Sequence, residues 1–152
     1  MSDKKKMDKI KIDIKDISLV KDYKWSIYVK RNTKYAYASL KGKTISMHRL
    51  ILGLSDRNIF VDHIDGNGIN NGRSNLRIAT RAQNKMNSGH FSGTSKYKGV
   101  HWDKTERVWI AQICIDKKSI KIGRFKCEDK AGLAYNERAL IEFKEYARLN
   151  EI

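Results

Sequence analysis

An aspartate and a histidine, Asp62-His63, close the short apolar run that begins at Phe60-Val61, and Ile64-Asp65-Gly66-Asn67 follows them. Asn75-Leu76-Arg77 and Asn84 lie downstream. Asp62 offers a hard oxygen ligand, Asn84 a second and uncharged one, and His63 an imidazole that titrates near neutrality. Such parts suit phosphodiester hydrolysis, which needs an activated water, charge neutralisation at phosphorus and help for the departing 3′ oxygen. A hard cation can supply the last two. Two oxygen donors fit Mg²⁺, or Mn²⁺, which keep waters and accept phosphate oxygens. With a single carboxylate, metal binding should be weak until substrate adds its phosphate. His63 falls on the opposite face of an extended strand from Asp62, so it can reach a water while Asp62 reaches the metal. A pKa near 6.5 suits a general base at neutral pH. Asn75 is a candidate to tie the loop together and to fix the ring of His63 by hydrogen bonding. Arg73, Arg77 and Arg81 surround the motif and could clamp phosphates. Taken alone, an Asp-His pair is more often a packed histidine than a catalytic one, and His48 reads as packed and hydrogen-bonded; the wider pattern carries the reading.

The elements that must position these residues are legible in outline. Ile10, Ile12 and Ile14 alternate with polar residues, which predicts a strand. Trp25–Val29, Tyr35–Leu40 and Thr44–Met47 read as further strands, with Lys41-Gly42-Lys43 as a hairpin turn. His48–Leu52 reads as a short helix, and this N-terminal third as scaffold. Phe60–Ile64 is a buried strand, Asp65-Gly66-Asn67-Gly68 a tight turn, Ser74–Ala79 a returning strand, and Thr80 an N-cap for a helix from Arg81 to about Asn87. Residues 88–95, small and polar with two glycines, read as a linker. Beyond it come strands at Tyr97–Trp102, Val108–Ile115 and Ser119–Phe125. A helix follows from Glu128 to about Tyr146, with Ala131, Ala134 and Ala139 on one face.

The net charge of +15 over 152 residues, with a sequence pI near 9.9, points to a polyanionic partner, nucleic acid before membrane. The charge is uneven. Residues 1–95 hold 19 Lys/Arg against 8 Asp and no Glu, whereas 96–152 hold 13 against 9 acidic residues. The half with the Asp-His motif is the more basic, as holding a phosphate requires. Cys114 and Cys127 form no CxxC pair, so neither a structural zinc nor a disulfide framework is expected, and a reducing cytoplasm fits. No apolar run approaches a membrane span of roughly 20 residues. Lys4-Lys5-Lys6 are not followed by a signal-peptide apolar core and read as a frayed terminus.

Asp62-His63-Ile64-Asp65-Gly66-Asn67, Asn70-Asn71, Asn75-Leu76-Arg77, Thr80, Asn84 and Asn87 together resemble the HNH endonuclease family, in its phage and homing-endonuclease branch. His48-Arg49-Leu50-Ile51 matches that branch too, so the resemblance runs from about residue 17 to 90. It implies a ββα-metal fold with His63 as general base, Asn75 as the central asparagine and Asn84 at the last motif position. Asp62 and Asn84 would hold one divalent metal, and products would carry 5′-phosphate and 3′-hydroxyl ends. Gly72 stands where relatives often carry a larger polar or basic residue, which leaves the identity of the phosphate-clamping arginine open.

Residues 96–150 resemble the ethylene-response-factor (Apetala-type) DNA-binding domain through Tyr97-Lys98-Gly99-Val100, Trp109-Ile110-Ala111, Ile122-Gly123-Arg124-Phe125 and the helix from Glu128. That likeness implies a three-stranded sheet in the major groove with a helix bracing its back, Lys98, His101, Gln112 and Lys121 toward DNA, and Trp102 and Arg107 nearby. Fewer arginines than usual, and Cys114 in place of a basic residue, imply more backbone contact than base reading.

The expected protein is therefore α+β. A β-rich scaffold with a ββα-metal motif occupies residues 1–88, a linker 89–95, and a small antiparallel sheet packed on one helix 96–152. It would be a cytoplasmic nuclease of a bacterial or phage-infected cell, a monomer or weak dimer acting on double-stranded DNA. A DNA-binding regulator without turnover and an RNA-binding protein are the alternatives. The intact Asp62/His63/Asn84 set argues against the first, and the lack of surface stacking motifs against the second.

Overall fold

The structure, a computed structural model, describes residues 9–30, 33–89 and 93–152. Lys4, Lys5 and Lys6, and residues 90–92 of the expected linker, lie outside these. The chain divides into two compact units, Met1–Asn84 and Lys85–Ile152.

In the first unit a 3-10 turn, Ile14–Asp16, leads into a short helix α1, Ile17–Val20. Three antiparallel strands follow: β1 (Trp25–Lys30), β2 (Thr33–Leu40) and β3 (Lys43–Ser46). The β2–β3 turn places Lys41 and Gly42 at φ of 48° and 75°, the paired positive values that a two-residue hairpin needs to match strand twist. Helix α2 is Met47–Ile51, and β4 (Phe60–His63) pairs antiparallel with β5 (Leu76–Ala79). Trp25, Ala36 and Ala38, on one face of the first sheet, bury themselves with Val20, Met47, Ile51, Ile10 and Leu76. Trp25 completes this core without an unsatisfied donor, because its indole N–H bonds the carbonyl of Val20 at 2.8 Å. Leu76 and Val61 join the same core, which anchors the β4–β5 hairpin to the scaffold.

The expected strand through Ile10, Ile12 and Ile14 does not form. Ile10 is buried, but Ile14 is 87% exposed. Period-two alternation makes a strand only where a neighbour offers a ladder. Here Lys11 alone bridges to Asn70, its N–H to the Ile69 carbonyl and its own carbonyl to the Asn71 N–H. Helix α3, Arg81–Met86, begins at a reciprocal cap: the Thr80 N–H bonds Gln83 Oε1 at 2.7 Å and the Gln83 N–H bonds Thr80 Oγ1 at 3.1 Å.

The second unit holds β6 (Val100–Asp103), β7 (Val108–Ile115) and β8 (Lys118–Phe125) in one antiparallel sheet, then helix α4, Glu128–Phe143. Its helix stops before Tyr146, at a 3-10 turn that starts with Lys144 at φ 49°. Ala131, Tyr135, Ala139 and Phe143, spaced by four, are the buried stripe, and Ala134 sits at its margin. Ala131 shares a core with Tyr97, Val100 and Ala111, and Tyr135, Ala139 and Phe143 share another with Ile113. Gly99 is required twice over. Its φ is +76°, and a Cβ there would lie 2.1 Å from the ring of Tyr135.

Candidate active site

The β4–β5 register sets Asp62 opposite Arg77 and His63 opposite Leu76, so the two motif side chains project from alternate faces of the hairpin. Both are buried, each 6% exposed. Arg77 reaches across the pair and holds Asp62 Oδ2 through Nη2 at 2.7 Å and Nε at 2.8 Å.

The loop between the strands is wired by short polar side chains. Asn75 Oδ1 accepts from the Asp65 N–H at 3.0 Å, and its Nδ2 donates to Asp65 Oδ1 at 2.9 Å and to the Asn70 carbonyl at 2.8 Å. Asp65 also accepts from the Asn67 N–H at 2.8 Å and from Asn70 Nδ2 at 2.7 Å. Burial alone would raise the Asp65 carboxyl, but bonds from Asn70, Asn67 and Asn75 outweigh it and hold the pKa below the usual range. Gly68 lets the loop press on β2, since a Cβ would meet the Lys34 carbonyl at 2.5 Å and the Tyr35 ring at 2.5 Å.

Asn75 thus ties the loop by three hydrogen bonds, and a different asparagine lies against the ring of His63. Asn71, fully buried, places Oδ1 3.4 Å from His63 Nε2, and its Nδ2 has no hydrogen-bond partner among the described residues. Nothing in the spacing marked Asn71. It is brought there by its backbone N–H, which bonds the Lys11 carbonyl at 2.8 Å. His63 also packs edge-on to His48, with centroids 5.1 Å apart, and to Tyr35 at 5.9 Å. Burial lowers the His63 pKa below 6.5 more than Asn71, Asp65 and Asp62 raise it. His48 is pushed down to about 3 by burial, with His63 and Arg49 adding to the effect. Contrary to expectation its Nδ1 finds no hydrogen-bond partner among the described residues. Burial thus favours the neutral form of both rings.

Of the three arginines expected at phosphates, two have structural work. Arg77 is held by Asp62. Arg73 donates through Nε and Nη2 to the buried Asp16 carboxylate at 2.8–3.0 Å, and its backbone N–H bonds Asp13. Those contacts tie the loop to the start of the chain and use the Nε–Nη2 edge of the guanidinium. Arg81, exposed on α3, lies over the Phe60 ring at 5.2 Å. Asn84 sits half-buried on the same helix, its N–H bonded to the Thr80 carbonyl at 3.0 Å. Asp62 and Asn84 are oxygen donors, the chemistry that Mg²⁺ prefers. Among the described residues no three His, Cys, Asp or Glu side chains gather as a metal cluster.

In the second unit, register places His101 opposite Ile110, Ile110 opposite Arg124, and Gln112 opposite Lys121. These alternate with the buried Val100, Ala111 and Ile113, so His101, Gln112 and Lys121 share the face away from the core. Arg124, which the sequence reading passed over, shares that face and pairs with Glu106. Arg107 lies in the β6–β7 turn at φ 55°. Lys98 departs from the expected set. Its half-buried ammonium donates to the Met86 carbonyl and sits 6.0 Å from the Tyr135 ring centroid, and burial, with Arg148, pushes its pKa down to about 8. The residue precedes β6, two positions before the buried Val100 and outside the strand whose alternation sets the His101 face. No helix among the described residues is long and apolar enough to cross a membrane.

Residues 47–86 match the family model described as HNH endonuclease. An uncharacterized HNH endonuclease, L560, of Acanthamoeba polyphaga mimivirus is 34% identical over 139 residues, covering 88% of this chain and 70% of that protein. Protein 3.8 of Escherichia phage T7 is 37% identical over 60 residues, 39% of this chain and 50% of the phage protein. No solved structure matches.

Proposed function

The chain belongs to the HNH endonuclease family, and we propose that it is a metal-dependent endonuclease hydrolysing phosphodiester bonds in double-stranded DNA. The observation that carries this reading is the setting of His63: a buried imidazole at the end of β4, beside the Asp62–Arg77 pair and next to a loop clamped by Asn75. A base must be unprotonated before it acts, and burial favours that form of His63. Asn71, accepting from Nε2–H, favours the tautomer whose Nδ1 takes a proton from water. Arg77 holds Asp62 in one orientation, and Arg73 fixes the loop through Asp16. Asp62 and Asn84 would hold the cation, Mg²⁺ or Mn²⁺, in a ββα-metal arrangement. When bound it neutralises charge at phosphorus and stabilises the departing 3′ oxygen.

The second unit serves as an ethylene-response-factor-type module that keeps the enzyme on DNA and biases where it cuts. Its sheet face presents His101, Gln112, Lys121 and Arg124, with Arg107 at the turn. Tethering two modest contacts raises the effective concentration of the second. We read the protein as a homing-type or free-standing phage nuclease, with 1–88 as nuclease domain, 89–95 as linker and 96–152 as DNA-binding domain. One observation favours a second reading, a DNA-binding regulator without turnover: the metal-ligand candidate Asp62 is engaged by Arg77. Supercoiled plasmid separates the two. Nicking or linearisation with Mg²⁺, abolished by EDTA, supports the nuclease; a gel shift without cutting, in Mn²⁺ as well, supports the regulator.

A further inference from the structure

We propose that the outward face of the β1–β2–β3 sheet is a docking surface for duplex DNA that leads the sugar-phosphate backbone to His63. This rests on the nuclease reading and assigns it a substrate surface in a region that sequence treats as scaffold. Register sets Ser26 opposite Tyr37, Tyr28 opposite Tyr35, and Lys30 opposite Thr33. These residues share the face opposite Trp25, Ala36 and Ala38, which fill the core. One side of the sheet thus sends Trp25, Ala36 and Ala38 into the core, and the other carries phenol rings, hydroxyls and a lysine.

The rings form an unbroken line. Tyr28 is 63% exposed. Its ring lies 6.4 Å from that of Tyr37, Tyr37 is 6.2 Å from Tyr35, and Tyr35 is 5.9 Å from His63. The face therefore starts in solvent and ends on the candidate base. Sheets that only cover a core do not need a large aromatic side chain in water at the far end of such a line.

Charge identifies the occupant. Residues 25–46 contain five Lys/Arg and no Asp or Glu, and register puts Lys30 of these on the outward face with no carboxylate beside it in the sheet, a single-sign segment that suits a polyanion. Arg73 and Arg77 are already engaged by Asp16 and Asp62, so phosphate-facing groups must come from elsewhere in the unit. Tyrosine, serine and threonine hydroxyls and lysine are the common partners of phosphate oxygens in duplex DNA. Strand β2 has 8 residues. At roughly 3.3 Å each it reaches about 26 Å, the length of about seven or eight base pairs at 3.4 Å.

The test uses the full chain and a labelled duplex in fluorescence anisotropy, over a range of salt. Tyr28→Ala and Lys30→Ala alter exposed positions, so thermal melting should not move. The proposal expects the double variant to weaken binding about tenfold, and Lys30→Ala alone to reduce the salt slope by about 0.9. Photo-crosslinking to an iodouracil-substituted duplex should label the peptide that contains Tyr28. Affinity within twofold of wild type, together with no crosslink on the sheet, overturns the docking surface while wild-type binding and cutting leave the nuclease reading intact. Duplex RNA competing better than duplex DNA for this face also overturns it. A wild-type chain that neither binds nor cuts DNA overturns both.

Discussion

Replacing Asn75 should loosen the loop behind His63 in a way that two substitutions can resolve. Asn75→Ala removes three hydrogen bonds, two involving Asp65 and one to the Asn70 carbonyl. At about 0.5–1.5 kcal/mol each, and toward the low side because Asp65 is exposed and rehydrates, the loss comes to about 2–3 kcal/mol. Asn75→Asp is nearly isosteric and keeps the acceptor for the Asp65 N–H. It loses both donations, however, and sets a second carboxylate against Asp65, where like charges repel. At pH 7 it should therefore be at least as damaging as Asn75→Ala, and it should recover as pH falls and one carboxyl protonates. Amide hydrogen exchange reads this directly at Ile64, Asp65 and Gly66, whose N–H groups bond the Asn75 carbonyl, Asn75 Oδ1 and the His63 carbonyl. A loss of 2–3 kcal/mol is a fall in protection of about 30- to 150-fold. A change below threefold in Asn75→Ala, or an Asn75→Asp that matches wild type at pH 7, refutes the clamp.

Acid should destabilise the first unit through His48 and His63. His48 is lowered from 6.5 to about 3, so below pH 6.5 the unfolded chain takes up a proton that the folded one refuses. Stability is then lost as pH falls, at up to about 1.4 kcal/mol per unit, or about 2 kcal/mol by pH 5. His63, lowered too, adds in the same direction. Denaturant unfolding across pH 4.5–7.5 should show most of the His48 slope missing in His48→Phe; equal slopes would contradict the assignment. In the second unit Gly99→Ala meets both a left-handed backbone and the Tyr135 ring. It should cost on the order of 2–4 kcal/mol, measured by unfolding followed at Trp102 and Trp109, and a cost below about 0.5 kcal/mol would show the close approach to be relaxed at no expense.

Sequence made the β4–β5 hairpin legible because its signals are local. Phe60–His63 and Leu76–Ala79 are short apolar runs around a Gly/Asn loop, and Thr80 with Gln83 writes the helix cap in four residues. Strands β7 and β8 and the start of α4 were equally plain. What escaped depends on partners distant in the chain. Ile10, Ile12 and Ile14 alternate like a strand, yet among the described residues Asn70 is the only ladder neighbour. Arg73 read as a phosphate clamp because Asp16, 57 residues away, gives no sign of its approach. Asn71 was overshadowed by Asn75, since only the folded loop shows which asparagine meets the ring. Lys98 is placed at DNA by a motif likeness, whereas its ammonium bonds the Met86 carbonyl, a partner the motif does not contain.

Single-turnover cleavage of a duplex by wild type and His63→Ala, with DNA affinity measured in parallel, tests the central claim most directly. A base acting only in the chemical step predicts a cleavage rate about 10²- to 10⁴-fold lower with affinity nearly unchanged. A variant that cuts within tenfold of wild type, or one that loses DNA binding as steeply as it loses cleavage, would contradict the assignment of His63.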